Sequence, residues 1–185
     1  MIADKKLIAI IPARGGSQRL PRKNVLPLQG KPLIGWTIEA AWQSKYVDRV
    51  LVSTDDIEIA TISKQFGAEV PELRPHRLAS DSASTHDVIE HVLNSFCHDE
   101  YAFILLQPTS PLRCSIDIDF AWELFTQKQV DGVISVCPCE HSPLWSNHLS
   151  TDLSLDGFIR SDNNKRSQDL DEYHRLNGAI YTRDH

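Results

Sequence analysis

The sequence lacks any hydrophobic run long enough to cross a membrane, because a helical span needs about 20 consecutive apolar residues. Its opening apolar run, Leu7–Pro12, is short and is followed by arginine and glycine instead of the small residues of a signal cleavage site. This run is typical of a buried first strand. We therefore expect a cytoplasmic protein without a membrane partner.

Cysteine is also scarce, with four residues in the chain and no spacing of the zinc-ribbon type. Cys137 and Cys139 form a C-x-C pair, but no second pair or histidine cluster accompanies them, so we interpret them as small apolar residues. An excess of basic residues is absent too. The net charge of −6 gives no electrostatic source for general nucleic-acid binding, so any anionic substrate must be held locally.

The regular structure that the sequence does predict alternates between strands and helices. Helical patterns separate four strand-length apolar runs, which are Leu7–Pro12, Arg49–Ser53, Tyr101–Gln107 and Gly132–Cys137. We expect one α/β domain over residues 1–185, with a doubly wound, mostly parallel sheet and ligands at the carboxyl ends of its strands.

Candidate helix starts and one long interruption complete this prediction. Pro32 suits a first helical turn, and Asp56, Thr85 and Ser115 are candidate N-caps. From Pro138 to about His174 the pattern becomes polar, before Asn177–Thr182 again resembles a strand. We interpret residues 138–174 as an excursion from the sheet.

The segment Ile11–Asn24 combines the end of the first strand with two glycines and four basic residues. Gly15 and Gly16 permit positive φ and close backbone approach, while Arg14 and Lys23 can neutralise phosphate charge. The Walker and dinucleotide-binding glycine patterns are both absent. We therefore predict a phosphate-binding loop of another kind, with a solvated basic turn as the alternative.

This loop resembles the signature loop of the acylneuraminate cytidylyltransferases, the family of CMP-sialic acid synthetases. Three further blocks resemble the same family in the same order, namely Leu73–Thr85, Leu105–Arg113 and Arg175–Tyr181. The resemblance covers nearly the whole chain. It implies a fold like that of nucleotide-diphospho-sugar transferases and an enzyme that transfers CMP from CTP to a nonulosonic acid such as sialic, legionaminic or pseudaminic acid.

The resemblance also implies roles for individual residues. Arg14 and Lys23 would be catalytic, stabilising charge on the phosphates together with Ser17. The contacts to cytosine and ribose would come from Asn24, Arg74, Ser84 and Thr85. The sugar would meet Gln107, Asn177 and Tyr181, and its carboxylate either Arg166 or Arg175.

Magnesium and a homodimer are further implications of the resemblance. Mg²⁺ would bind the triphosphate, with an aspartate pair that relatives carry beyond the block Arg175–Tyr181 and that is absent from this chain. Asp117 and Asp119 have the right spacing but follow a predicted helix start, where carboxylates favour the helix dipole. The excursion 138–174 corresponds to a segment through which relatives form dimers. Gln18 replaces a common lysine, so one charge of the loop is missing.

Two alternatives to this function remain open. One is a cytidylyltransferase for an eight-carbon keto-sugar acid, against which the loop and the block Leu73–Thr85 argue. The other is a non-catalytic or truncated module that binds nucleotide or sugar, which Gln18 and the absent aspartate pair would allow.

Overall fold

A computed structural model of the chain describes residues 5–80, 82–97 and 101–184. Its strands are β1 (Lys6–Pro12), β2 (Pro27–Leu28), β3 (Lys31–Pro32), β4 (Val47–Ser53), β5 (Tyr101–Leu105), β6 (Gly132–Pro138) and β7 (His174–Asp184). Its α-helices are α1 (Leu33–Trp42), α2 (Ile57–Gln65), α3 (Thr85–Phe96) and α4 (Ser115–Lys128). In the ranges described, no helix is long and apolar enough to cross a bilayer.

The chain divides into two compact units, one made of Met1–Ser135 with Gly178–His185 and the other of Val136–Asn177. The smaller unit includes three short 3₁₀ turns, at Pro143–Trp145, Ser161–Asn163 and Ser167–Asp169. Its internal bonds include one from the Trp145 indole Nε1 to the carbonyl of Asn163, at 3.2 Å.

Among the described residues, the main sheet has five strands in the order β4-β1-β5-β7-β6. β1 pairs in parallel with both β4 and β5, so the carboxyl ends of these three strands lie at one edge. β7 runs antiparallel to β5 and places Tyr181 opposite Leu105. The predicted α/β fold with a mostly parallel sheet is therefore confirmed.

Both faces of β1 are buried, and they pack against different helices. Leu7 and Ile11 belong to a large core that includes residues of α1, α2 and α4. Ile8 and Ile10 point into a second core with Val92 of α3. Because successive side chains of a strand point to opposite faces, this alternation means that helices cover both faces of the sheet.

The helix starts differ slightly from the predicted ones. Asp56 caps α2 as expected, its carboxylate accepting the N–H of Ile59. The cap of α3 is Ser84 instead of Thr85, because Ser84 and Asp87 form a reciprocal capping box. α4 is likewise capped one residue early, at Cys114, whose N–H binds the Asp117 carboxylate at 2.8 Å.

Candidate functional site

The basic loop after β1 is fastened to the end of β4. The N–H of Ala13 donates to the carbonyl of Ser53 at 2.9 Å, and the N–H of Gly15 donates to the Asp55 carboxylate at 3.0 Å. Both strands end at the same edge of the sheet, so the loop begins where ligands of parallel sheets bind. The Asp55 carboxylate thus acts as an acceptor for the backbone of the loop.

Gly15 is required for space and not for an unusual dihedral angle. Neither Gly15 nor Gly16 has a positive φ, so the expectation based on glycine flexibility was wrong. A Cβ at Gly15 would lie 2.7 Å from Oδ2 of Asp56, whereas one at Gly16 would meet nothing within 4 Å. The positive φ in this loop belongs to Arg22, at 59°.

Arg22 closes the loop from its far end. Its guanidinium pairs with the carboxylates of Asp56 and Glu58, both at the start of α2. Burial raises the pKa of Asp56, but the hydrogen bonds from Arg22 and from the helix outweigh it and hold the pKa below its ordinary value. Asp55 and Asp56, which follow β4, therefore anchor the two ends of the loop, Asp55 at Gly15 and Asp56 at Arg22.

Asn24 is almost fully buried and binds the loop from inside. Its Nδ2 donates to the carbonyl of Arg14 at 3.0 Å, while its Oδ1 has no partner among the described residues. The carbonyl of Asn24 in turn accepts the N–H of Ile34 in α1. The sequence assigned Asn24 to the nucleotide, and the structure adds a role in shaping the loop.

Arg74 is also buried, and its guanidinium is occupied by the protein. It donates to the carbonyl of Leu78 at 3.1 Å and to that of Ser53, and its Nε is buried without a partner in the described part of the chain. Burial lowers the pKa of Arg74, and nearby Arg14 lowers it further against the opposing effect of Asp55. Arg74 thus joins the end of β4 to the turn before α3.

These residues surround a cavity of about 310 Å³, here called the first cavity. Seven residues predicted for the site line it: Arg14, Lys23, Asn24, Arg74, Ser84, Thr85 and Gln107. Ser17 is not among its lining residues. Three of the seven are cationic, and no carboxylate lines the cavity within the described residues, so the cavity favours an anionic ligand.

A second cavity of about 690 Å³ lies beside the first. Thr85 and Gln107 line both cavities, and Tyr181 lines the second. Its wall also includes apolar side chains such as Ile89 and Phe103, together with polar ones such as Glu90. A group on a ligand in one cavity can therefore approach a ligand in the other beside Gln107 and Thr85.

Gln107 is held by residues that sequence reasoning did not assign. The buried Arg113 donates from Nη1 to the carbonyl of Gln107 at 3.2 Å and to that of Ala179 at 2.9 Å. Gly178 has a φ of +74°, and a Cβ there would lie 2.9 Å from Oε1 of Gln107. In the sequence, Arg113 and Gly178 are marked only by their places in the blocks Leu105–Arg113 and Arg175–Tyr181. Membership of a block does not show which residue either of them contacts.

Three residues predicted for the sugar belong to the smaller unit. Arg166 pairs with Asp169 at 2.8 Å on an exposed surface. Arg175 is exposed, and Asn177 donates to the carbonyl of Val136 at 3.2 Å. Their roles toward a sugar stay predictions.

The described residues do not fit a magnesium site made of protein ligands. They contain no group of three or more histidine, cysteine, aspartate or glutamate residues that could hold a metal. The Asp117 carboxylate accepts the N–H of Cys114 at the start of α4, and the buried Asp119 carboxylate accepts the hydroxyl of Ser44 at 2.6 Å. Asp55 and Asp56 serve the loop, as described above.

Comparison with known proteins agrees with this geometry. The family model of the cytidylyltransferases matches residues 8–183. The chain is 38% identical to the CMP-N,N'-diacetyllegionaminic acid synthase of Legionella pneumophila, over 95% of this chain and 77% of that protein. It is 42% identical to the N-acylneuraminate cytidylyltransferase of Escherichia coli, of which it spans only 42%.

Among solved structures, a CMP:2-keto-3-deoxy-manno-octonic acid synthetase complexed with CTP is similar, with a TM-score of 0.73 and 25% identity. The match covers 97% of this chain and 74% of the synthetase. The fold and the cationic cavity at the sheet edge are thus those of an α/β protein of the nucleotidyltransferase class. The chain belongs to the cytidylyltransferase family.

Proposed function

We propose that the protein transfers CMP from CTP to the anomeric hydroxyl of a sialic-acid-like nonulosonic acid and releases pyrophosphate. The observation that carries this proposal is the pair of adjoining cavities that share Gln107 and Thr85, the first of them cationic. A reaction between two substrates needs both reacting groups within contact distance, and a shared wall supplies that arrangement. The names of the Legionella and E. coli relatives support the substrate class.

The first cavity is proposed to hold CTP. Arg14 and Lys23 lie in the loop whose backbone Asn24 and Asp55 fix, so their charges face the phosphates from a preorganised turn. Ser84 and Thr85 line the same cavity from the start of α3, and their hydroxyls suit the ribose. Arg74 contributes charge and shape, with its donors already bound to carbonyls.

The chemistry needs no covalent intermediate on the protein. In an in-line displacement, the oxygen of the sugar hydroxyl forms a bond to the α-phosphorus and gives up its proton to water, while the bond from the α-phosphorus to the bridging oxygen breaks and pyrophosphate leaves. Negative charge moves onto the leaving group, and Lys23 and Arg14 would stabilise it there. Electrostatic stabilisation by these two side chains is therefore the catalytic contribution proposed for this chain.

The second cavity is proposed to receive the acceptor sugar. Gln107 offers a carboxamide and Tyr181 a phenol, which suit the hydroxyl and N-acyl groups of a nonulosonic acid. Arg166 or Arg175 is proposed for the sugar carboxylate, as the sequence resemblance implies. A pyrophosphate-release assay with sialic, legionaminic and pseudaminic acids identifies which of these acids is the acceptor.

We also propose that the protein is cytoplasmic and that its reaction requires Mg²⁺. Mg²⁺ prefers phosphate oxygens with water and few protein carboxylates. Since the described residues provide no carboxylate in the first cavity, we propose that the ion enters on the triphosphate. Loss of turnover in excess EDTA, restored by added Mg²⁺, tests the requirement.

We also propose a homodimer through residues 138–174, which belong to the smaller unit 136–177. Every residue of this unit is described, and none is fully buried. Large apolar side chains remain exposed on it, including Leu149, Leu153, Leu155 and Leu176. A segment with this surface gains stability when a partner covers it, and a second copy of the chain is the partner that the resemblance implies. Sedimentation velocity of the protein would show a dimer, and a monomer at micromolar concentration would reject it.

The direct test is a pyrophosphate-release assay with CTP and a panel of nonulosonic acids. We expect release with at least one acid, and a fall in kcat of about 100-fold or more in Lys23→Ala. Lys64→Ala, which removes an exposed lysine on α2, is the matched control and should retain activity. Unchanged kcat in Lys23→Ala would reject the catalytic role.

The panel should include the eight-carbon acid 2-keto-3-deoxy-manno-octonic acid. The structural similarity to the synthetase for that sugar, with a TM-score of 0.73, favours this as the second candidate. Preference for the eight-carbon acid would replace the nonulosonic proposal. CTP binding without release for any acid would instead indicate a module that only binds nucleotide.

A further inference from the structure

We propose that Arg113 is a positioning residue that, together with Gly178, fixes Gln107 between the two cavities and so sets the acceptor step. The inference rests on the proposed function, because it assigns the acceptor side of the same site. Gln107 is the residue that both cavities share at the end of β5. Whatever fixes its position therefore affects how the two substrates meet.

Arg113 joins the loop after β5 to β7 through a single nitrogen. Its Nη1 donates to the carbonyl of Gln107 at 3.2 Å and to the carbonyl of Ala179 at 2.9 Å. These contacts hold the backbone of Gln107 against the strand that carries Tyr181. The loop between Gln107 and Arg113 also contains the backbone bond from Arg113 N–H to the carbonyl of Ser110, at 3.2 Å.

Arg113 lies behind the cavity walls and is buried in the protein. Its exposed fraction is 6%, and it is not among the residues that line either cavity. Its Nε and Nη2 are buried without partners in the described ranges, and burial lowers its pKa to about 10 against the opposing charge of Asp117. A buried cation of this kind stabilises a fold poorly, so its definite contribution is the bridge between Gln107 and Ala179.

Gly178 gives an independent indication of the same role. It is adjacent to Ala179, and its φ of +74° is one that residues with a side chain rarely adopt. An added Cβ would lie 2.9 Å from Oε1 of Gln107, so the carboxamide lies directly over the backbone of Gly178. Arg113 thus fixes the backbone of Gln107, and Gly178 leaves the space that its side chain occupies.

The kinetic consequence separates positioning from general stability. Arg113→Lys keeps a positive charge but cannot reproduce the planar geometry of the guanidinium. We expect kcat/KM for the acceptor to fall about tenfold or more, since small misplacements of a reacting group are costly. The Kd for CTP should change less than about threefold, because Arg113 does not line the first cavity.

Double-mutant cycles with Gln107→Ala test whether the effects act through Gln107. Arg113→Lys and Gly178→Ala should each lower acceptor kcat/KM in the wild-type background. In the Gln107→Ala background each should lower it by less than about twofold, because the group being positioned is gone. If each substitution lowers acceptor kcat/KM by the same factor in the wild-type and Gln107→Ala backgrounds, the proposal is overturned. Any loss of thermal stability that these substitutions cause should be the same in both backgrounds.

A second readout does not depend on turnover. The side-chain amide NMR signal of Gln107, assigned by its loss in Gln107→Ala, should shift in Arg113→Lys. Arg49→Lys is the control, because Arg49 also donates to a backbone carbonyl, that of Phe96 at 3.3 Å, but lies on β4 outside both linings. An unshifted signal in Arg113→Lys overturns the inference. Absence of pyrophosphate release in the wild type rejects the proposed function instead, and the NMR comparison still decides the role of Arg113.

Discussion

The buried side chain of Asn24 donates a hydrogen bond to the carbonyl of Arg14 at 3.0 Å, across the ten residues of the basic loop. This bond joins the two ends of the segment that presents cationic side chains to the first cavity. Because Arg14 and Lys23 line the same cavity, the conformation of this loop decides where both charges are placed.

We predict that Asn24→Ala weakens CTP binding and lowers stability together. Removal of the amide leaves the carbonyl of Arg14 without this donor, which costs about 1–3 kcal/mol of unfolding free energy. CTP affinity should fall about tenfold, because the loop is no longer preorganised. Calorimetric titration with CTP and denaturant unfolding measure the two effects. Gln127→Ala, at an exposed position in α4, is the control, and equal behaviour of the two variants would contradict the prediction.

The two glycines of the loop should differ sharply in their tolerance of alanine. In Gly15→Ala the new Cβ would lie 2.7 Å from Oδ2 of Asp56, so either the loop or the start of α2 must move, at a cost of about 1–3 kcal/mol. Gly16→Ala meets nothing within 4 Å and should be nearly neutral in stability. Thermal unfolding of both variants checks this difference. Similar Tm values for the two would show that the loop does not pack on Asp56 in solution.

Arg74→Ala should destabilise the fold as well as weaken CTP binding. The substitution removes donors to the carbonyls of Ser53 and Leu78 and leaves a space in the interior, with an expected loss of about 2–4 kcal/mol. The sequence resemblance implied only a contact between Arg74 and the cytosine or ribose. Chemical denaturation combined with CTP titration separates the two contributions. A variant of full stability with weaker CTP affinity would support the simpler base-reading role.

Asp56→Asn should reduce the acid sensitivity of the fold. The folded-state pKa of Asp56 lies below its unfolded value, so its contribution is complete above the unfolded pKa and disappears as pH falls through the folded pKa. Asparagine retains the N-cap of α2 but cannot pair with Arg22 as an ion. The stability difference between wild type and variant should therefore shrink from about pH 6 to about pH 2. A difference that stays constant over this range would contradict the role of the ion pair.

The strands and helices were predictable because they depend on local apolar periodicity. The run Leu7–Pro12 is buried on both faces, and Asp56 has the side chain and position of an N-cap. The starts of α3 and α4 were each misplaced by one residue. In α3 the choice between Ser84 and Thr85 depends on the partner Asp87, and in α4 a cysteine takes the cap position.

The contacts that shape the site were much less predictable. Arg22 reaches the start of α2 across more than 30 residues of sequence, and Arg113 reaches Ala179 across 66. Such pairings depend on the sheet order, which brings the carboxyl ends of β1, β4 and β5 together and places the middle of β7 beside the end of β5. Motif resemblance named seven of the residues that line the first cavity, but only the fold shows which of them hold the backbone.

A crystal structure of this protein with CTP and Mg²⁺ tests most directly whether the basic loop binds the triphosphate. The proposed CTP site requires the triphosphate beside Arg14 and Lys23 in the first cavity, with the ribose toward Ser84 and Thr85. CTP bound at another surface, with the loop of residues 13–24 free of phosphate, would contradict it.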